Sequence, residues 1–107
     1  MRASEQVGGT ESLVLDGRLD LPAAAPLFAS LTVRCGTPLS LDAGQVSHLG
    51  TLCLQILLAA AAEWRKHGQV LTLSPVSAAF SEALSTFGVD LDALQAPGAS
   101  VQQAEEA

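Results

Sequence analysis

Apolar and polar positions alternate with a strand period and then a helix period in the first part of the chain. Residues 12–16 predict a short strand, Gly17 a turn, and residues 22–33 contain a helix that ends at Cys35 and Gly36. Pro22 and Pro26 fit only near the start of this helix, where a missing amide proton costs nothing. The first unit is therefore strand, turn and helix.

The same order of elements returns twice. Residues 38–42 alternate between apolar and polar side chains, as in a strand, and residues 43–50 form a loop. Residues 51–67 predict a helix with basic residues in its last turn and a glycine directly after it. Residues 69–73 predict the third strand, with Ser74 and Pro75 as N-cap and first residue of a helix that reaches Phe87 and is closed by Gly88.

Strands that alternate with helices predict parallel pairing through crossovers, and therefore an α/β fold. We expect a single-layer mixed, mostly parallel β-sheet of about four strands packed with helices. The expected domain covers residues 11–94, with polar, flexible segments at residues 1–10 and 95–107. Functional loops of such sheets lie beyond the carboxyl ends of the strands, which makes residues 43–50 the candidate loop.

The composition of the chain argues against nucleic acid as a partner and against membrane insertion. The 107 residues include 5 basic and 11 acidic side chains, a net charge of -6, so nucleic acid is not an expected partner. The longest apolar run, residues 52–62, contains Gln55 and is shorter than the roughly 18 residues of a membrane span, so no membrane insertion is expected. Residues 1–9 carry no secretory pattern, and we expect a cytoplasmic protein with free thiols.

Motifs for catalysis are not found. His48 and His67 have no metal-ligand partner at the spacing of zinc sites, and Cys35 and Cys53 form no Cys-x-x-Cys pair. The sequence also contains no nucleophile elbow, phosphate loop or dinucleotide fingerprint. We expect no enzyme, no catalytic residue, no metal and no cofactor.

The chemistry-bearing segment is the loop and helix start within residues 41–57. It brings the hydroxyl of Thr51 to the first helical turn, where unpaired amides and the macrodipole favour negative charge. A phosphate on Thr51 would be stabilised there and would add about two negative charges to the surface. The alternative is a plain helix-start threonine, a common residue at such positions.

The helix that follows is predicted to be built around an apolar stripe. The expected core positions share spacings of three and four, and they are Leu52, Ile56, Leu57, Ala60, Ala61 and Trp64. Leu54 and Leu58, on either side of Gln55, are expected to stay partly exposed as a docking patch or homodimer face. Trp64 is predicted to cover the core, with a binding hot spot as the alternative.

The order of these pieces resembles a known family. A Leu-Asp-Gly-Arg-Leu-Asp run at residues 15–20, Leu-Asp at 41–42, Leu-Ser-Pro at 73–75 and Phe-Gly-Val-Asp at 87–90 look like the STAS domain of anti-sigma-factor antagonists. The resemblance covers residues 13–94. It implies a non-enzymatic bacterial signalling switch in which a hydroxyl residue before the second helix is phosphorylated by a partner kinase.

The family's Asp-Ser/Thr-x-Gly loop matches this chain only in part. Gly50 stands at the Asp position, Thr51 at the phosphoacceptor, Leu52 at the second Ser, and Cys53 at the Gly. The run at residues 49–61 is also similar to small stand-alone STAS proteins that accompany bacterial chemotaxis proteins. The resemblance implies a histidine kinase, a chemotaxis component or an anti-sigma-factor kinase as partner.

The expected partner-binding residues are Ser47, His48, Gly50, Thr51 and Gln55. Two alternatives use the same loop and helix face. One is a sensor of a small ligand or nucleotide that binds the loop as an anion site, and the other is a homodimer or larger homo-oligomeric scaffold.

Overall fold

A computed structural model of the chain describes residues 11–97. The flexible segment predicted at residues 1–10 lies outside the described residues, as do residues 98–107 of the flexible segment predicted at 95–107. The strands are β1 (Glu11–Val14), β2 (Arg18–Leu19), β3 (Leu39–Ala43), β4 (His48–Leu49), β5 (Val70–Val76) and β6 (Ala96–Pro97). The helices are α1 (Leu21–Val33), α2 (Thr51–Lys66), α3 (Ala78–Phe87) and a 3-10 helix (Leu91–Leu94).

The main sheet has four strands in the order β1-β3-β5-β6. The first three are parallel, and β6 pairs antiparallel with β5. Leu39 and Leu41 of the central strand β3 pair with Leu71 and Leu73 of β5, and all four are fully buried. The predicted α/β fold with a mostly parallel four-stranded sheet is confirmed.

Helix α2 supplies much of the core. Leu57, Ala61 and Trp64 are each at most 2% exposed, and the Trp64 Nε1 donates a hydrogen bond of 2.8 Å to the Thr37 carbonyl. Trp64 is therefore a core residue, as predicted, and it ties α2 to the turn before β3. Within residues 11–97, no helix has the length and hydropathy that would let it cross a membrane.

The predicted exposed face of α2 is partly wrong. Leu54 is 4% exposed and packs in the core, whereas Leu52, expected in the core stripe, is 42% exposed. The helix is apolar around most of its circumference, so the spacing alone did not determine which side faces the sheet. Leu58 is half-buried and Gln55 is exposed.

The predicted start of the third helix is also wrong. Ser74 and Pro75 belong to β5, and the N-cap of α3 is Ser77, whose side chain accepts a hydrogen bond of 3.0 Å from the Phe80 amide. The pairing of β3 with β5 shifts register at this point. Leu41 pairs with Leu73 and Ala43 pairs with Val76, so β5 contains one extra residue and forms a bulge. A bulge tolerates a proline because it needs no ladder donor there. Gly88 ends α3 in the left-handed region at φ 72°, as predicted.

Packing continues past Leu94, the expected end of the domain. Ala96 is buried in β6, and the Gln95 side-chain oxygen accepts a hydrogen bond of 2.8 Å from the Leu73 amide. Arg65 of α2 donates to the carbonyls of Asp92, Ala93 and Gln95 at 2.8 to 3.2 Å. These contacts hold the 3-10 helix and β6 against α2 and β5.

Candidate functional site

A second, two-stranded ladder fixes the start of α2. Strands β2 and β4 pair in parallel, with Arg18 opposite His48 and Leu19 opposite Leu49. The Gly50 amide then donates to the Leu19 carbonyl at 2.8 Å. The backbone before α2 is therefore held by the segment that precedes α1.

The loop between β3 and β4 is anchored at the two residues that precede β4. The amide and the hydroxyl of Ser47 both donate to the Gly17 carbonyl, at 2.6 and 3.1 Å. Val46 is buried, and its carbonyl accepts a hydrogen bond of 2.6 Å from the Ser77 hydroxyl. The loop presents its side chains from a fixed backbone.

Gly50 allows a close approach of two backbones. It is the N-cap of α2, and a Cβ placed on it would lie 3.2 Å from the Leu19 carbonyl oxygen. Because glycine has no side chain, the first turn of α2 begins without a side-chain cap. The amides of Thr51, Leu52 and Cys53 accordingly retain unpaired donor capacity, as at any uncapped helix start.

A shallow depression of about 240 Å³ lies at this helix start. Its polar lining includes Asp20, His48 and Thr51, and its apolar lining includes Leu21 and Leu52. Leu21 is 72% exposed and Leu52 is 42% exposed. An exposed hydroxyl is thus flanked by two exposed leucine side chains.

A comparison with protein families identifies the fold's relatives. The family model described as "Mlab, STAS domain" matches residues 3–96. The chain belongs to the STAS domain family. STAS domains are generally non-catalytic regulatory modules that interact with regulatory proteins. No curated protein and no solved structure matches the chain.

The STAS fold brings most of the predicted site residues together. His48, Gly50 and Thr51 line the depression, and Ser47 immediately precedes them in the anchored loop. Gln55 is exposed one helical turn after Thr51 and does not line the depression. The predicted residues therefore form one exposed surface at the start of α2.

Sequence reasoning missed the contribution of the segment before α1. Asp20 lines the depression, and its carboxylate forms an ion pair of 3.1 Å with the Arg18 guanidinium. Leu21, the first residue of α1, adds an apolar side chain that is 72% exposed. The pairing of β2 with β4 is what brings these residues to α2, and two-residue strands carry no periodic signal.

Cys53 is a buried residue of this STAS domain. Its Sγ donates to the Asp20 carbonyl at 3.5 Å, and its side chain is sealed beneath the depression. Burial, and secondarily the negative charge of Asp20, raise the pKa of the Cys53 thiol above its ordinary value. The thiol is therefore protonated and poorly reactive at neutral pH.

Metal-ligand geometry occurs at the other end of α2. Among residues 11–97, the three-ligand group is Cys35, Glu63 and His67, whose ligand atoms all lie within 4.8 Å of one another. All three side chains are exposed, and Cys35 and Glu63 also line an apolar groove of about 340 Å³ between α1 and α2. Sequence spacing gave no sign of this group, because Cys35 comes from a different part of the chain from Glu63 and His67.

Proposed function

We propose that this STAS domain is a cytoplasmic, non-enzymatic bacterial signalling module that binds a regulatory protein through the start of α2. The recognition surface consists of Ser47, His48, Gly50, Thr51 and Gln55, joined by the neighbouring leucine side chains at positions 21 and 52. The partner is a signalling kinase, namely a histidine kinase or an anti-sigma-factor kinase, or a chemotaxis component that works with one.

The observation that carries the proposal is an exposed hydroxyl between two exposed leucines on a fixed backbone. Thr51 is exposed at the first position of α2, and Leu21 and Leu52 line the same depression. Protein interfaces combine an apolar centre with a polar rim, and rigid surfaces lose little entropy on binding. This combination supports a protein partner for the surface.

Thr51 is the proposed phosphorylation switch. Gly50 supplies no capping side chain, so a phosphate on Thr51 would find amide donors and the positive end of the helix dipole. The phosphate would also place about two negative charges beside Leu21 and Leu52 and near Asp20. An interface that buries these leucines would weaken, because the new charge would lose its hydration.

A nucleotide-sensing role has less support. The depression is below the roughly 300–1,000 Å³ typical of small-molecule sites, and it is open to solvent. The Asp20 carboxylate also lines it and would repel a phosphate group arriving from solution. A homodimer through the face around Leu54 is disfavoured because that side chain is buried.

The test uses purified signalling kinases from the source organism and isothermal titration calorimetry. The domain should bind one of these kinases, and Thr51→Glu should raise the Kd for that kinase by at least about tenfold, equivalent to roughly 1.4 kcal/mol of binding free energy. Thr86→Glu on α3 is the matched control, because Thr86 is an exposed helical threonine away from the depression, and it should leave the Kd unchanged. Equal effects of the two variants would contradict the proposed surface.

Phosphorylation is tested in the same system. Incubation of the domain with ATP and the bound kinase should add one phosphate, which peptide mass spectrometry assigns to Thr51. The Thr51→Ala variant should bind and remain unmodified. A phosphate found on another residue would refute the switch while leaving the binding surface intact.

A further inference from the structure

Three side chains of different ligand type converge where α1 and α2 end. Cys35 lies in the turn after α1, and Glu63 and His67 lie one helical turn apart at the end of α2. The His67 Nε2 is 3.4 Å from the Glu63 Oε1, and the Cys35 Sγ completes a group whose ligand atoms lie within 4.8 Å of one another. From Thr51, the site is about 24 Å along the 16 residues of α2.

We propose that Cys35, Glu63 and His67 form a Zn²⁺ site. Thiolate, imidazole and carboxylate are the three side-chain ligand types of zinc, with bond lengths of about 2.0 to 2.3 Å. Tetrahedral geometry at those lengths places ligand atoms about 3.3 to 3.8 Å apart. Glu63 and His67 already have this separation, and Cys35 reaches it through a shift of about 1 Å at most, which an exposed side chain supplies by rotation.

The basic side chains near this group do not occupy the ligand atoms that would face a metal ion. The guanidinium of Arg34, next to Cys35 in sequence, forms an ion pair of 3.3 Å with Glu11. Lys66 contacts the Glu63 Oε2 at 3.5 Å, so the Oε1 that faces His67 is the oxygen available to a metal. The negative ends of the α1 and α2 dipoles also meet here and favour positive charge.

Binding requires proton release and no redox change. The Cys35 thiol gives its proton to solvent as the zinc–sulfur bond forms, the neutral His67 donates the lone pair of Nε2, and Glu63 binds as the carboxylate. Because the chain supplies three ligands, water takes the fourth position, as in open zinc sites. The bound ion would join the end of α1 to the end of α2.

The test uses the full chain without an affinity tag, reduced and stripped of metal with a chelator. Titration with Co²⁺ should give a thiolate-to-metal absorption band that saturates at one metal per chain and disappears when Zn²⁺ is added. Cys35→Ser should abolish the band. Glu63→Gln and His67→Gln should each raise the Kd for Co²⁺ by about 100-fold or more, because even changes outside the ligand shell lower metal affinity by about 10–100-fold.

The chain offers matched controls for two of the ligands. Cys53→Ala and His48→Gln replace the other cysteine and the other histidine, and both variants should bind Co²⁺ with the wild-type Kd. If Cys35→Ser fails to fold, alkylation of Cys35 in the folded wild-type protein, where Cys53 is buried, removes the same ligand.

Three results would overturn the site. They are the absence of the band in the wild-type protein, an unchanged Kd after loss of the Cys35 ligand, and one metal bound per two chains. None of these outcomes depends on the kinase partner, so they do not bear on the proposed function.

Discussion

Replacement of Trp64 tests the packing that holds α2 against the sheet. The indole is 2% exposed, and its Nε1 donates to the Thr37 carbonyl at 2.8 Å. Trp64→Phe removes that hydrogen bond, worth about 1 kcal/mol, and leaves a void where the larger ring was, which costs a further 1 to 2 kcal/mol or so. We expect a loss of about 2–3 kcal/mol in the free energy of unfolding.

This loss is large against the roughly 5–15 kcal/mol of a whole domain, and it corresponds to a drop in Tm of at least about 8 °C. Trp64→Ala should cost more, about 3–5 kcal/mol, because the whole indole ring is lost. Urea unfolding followed by far-ultraviolet circular dichroism measures the difference, because the variants lack the chain's single tryptophan fluorophore.

Phe28→Ala is the control, since Phe28 is an aromatic residue of α1 that is 61% exposed. It should change the free energy of unfolding by no more than about 0.5 kcal/mol. If Trp64→Phe costs as little as Phe28→Ala, the indole does not anchor α2 to the turn at Thr37, and the account of the core is wrong.

Three further predictions concern the two cysteines and the first turn of α2. A thiol reagent should modify Cys35 alone in the folded protein and both cysteines after denaturation; rapid reaction of both in the folded state would contradict the burial of Cys53. Because folding raises the pKa of Cys53, its contribution to stability is fully present below the ordinary thiol pKa and is lost as pH rises from there through the raised pKa of the folded state. Cys53→Ala should flatten this alkaline loss in urea unfolding, and identical pH profiles would refute the shift. Gly50→Asp, which restores the family carboxylate, should lower the free energy of unfolding by about 1 kcal/mol, because its Cβ would lie 3.2 Å from the Leu19 carbonyl; a more stable variant would show that this approach is not restrictive.

The elements that the sequence predicted well are those with a long hydrophobic period. Strands β3 and β5 bury alternate residues and the helices each bury one side, so periodicity and the glycine at position 88 located them. The start of α3 was misplaced because Ser-Pro is a helix-start signal that here occupies a bulge in β5. Only the pairing with β3 distinguishes the two cases.

The site was predicted from its own segment and not from its neighbours. Thr51 and His48 lie close together because they are near in sequence, whereas Asp20 and Leu21 reach them through the short ladder of β2 with β4. In a helix that is apolar on most sides, the pattern could not show that Leu52 is exposed and Leu54 is buried. Long-range packing decided both questions.

The most direct test of the proposed recognition surface is amide hydrogen exchange of the domain with and without the proposed kinase partner. We expect the amides of residues 51–53 at the start of α2 to exchange rapidly in the free protein, because they lack intrahelical partners. The account predicts that the kinase slows exchange there and across residues 47–55, with α3 unchanged. Protection confined to α3 or to the groove between α1 and α2, with residues 47–55 unaffected, would contradict it.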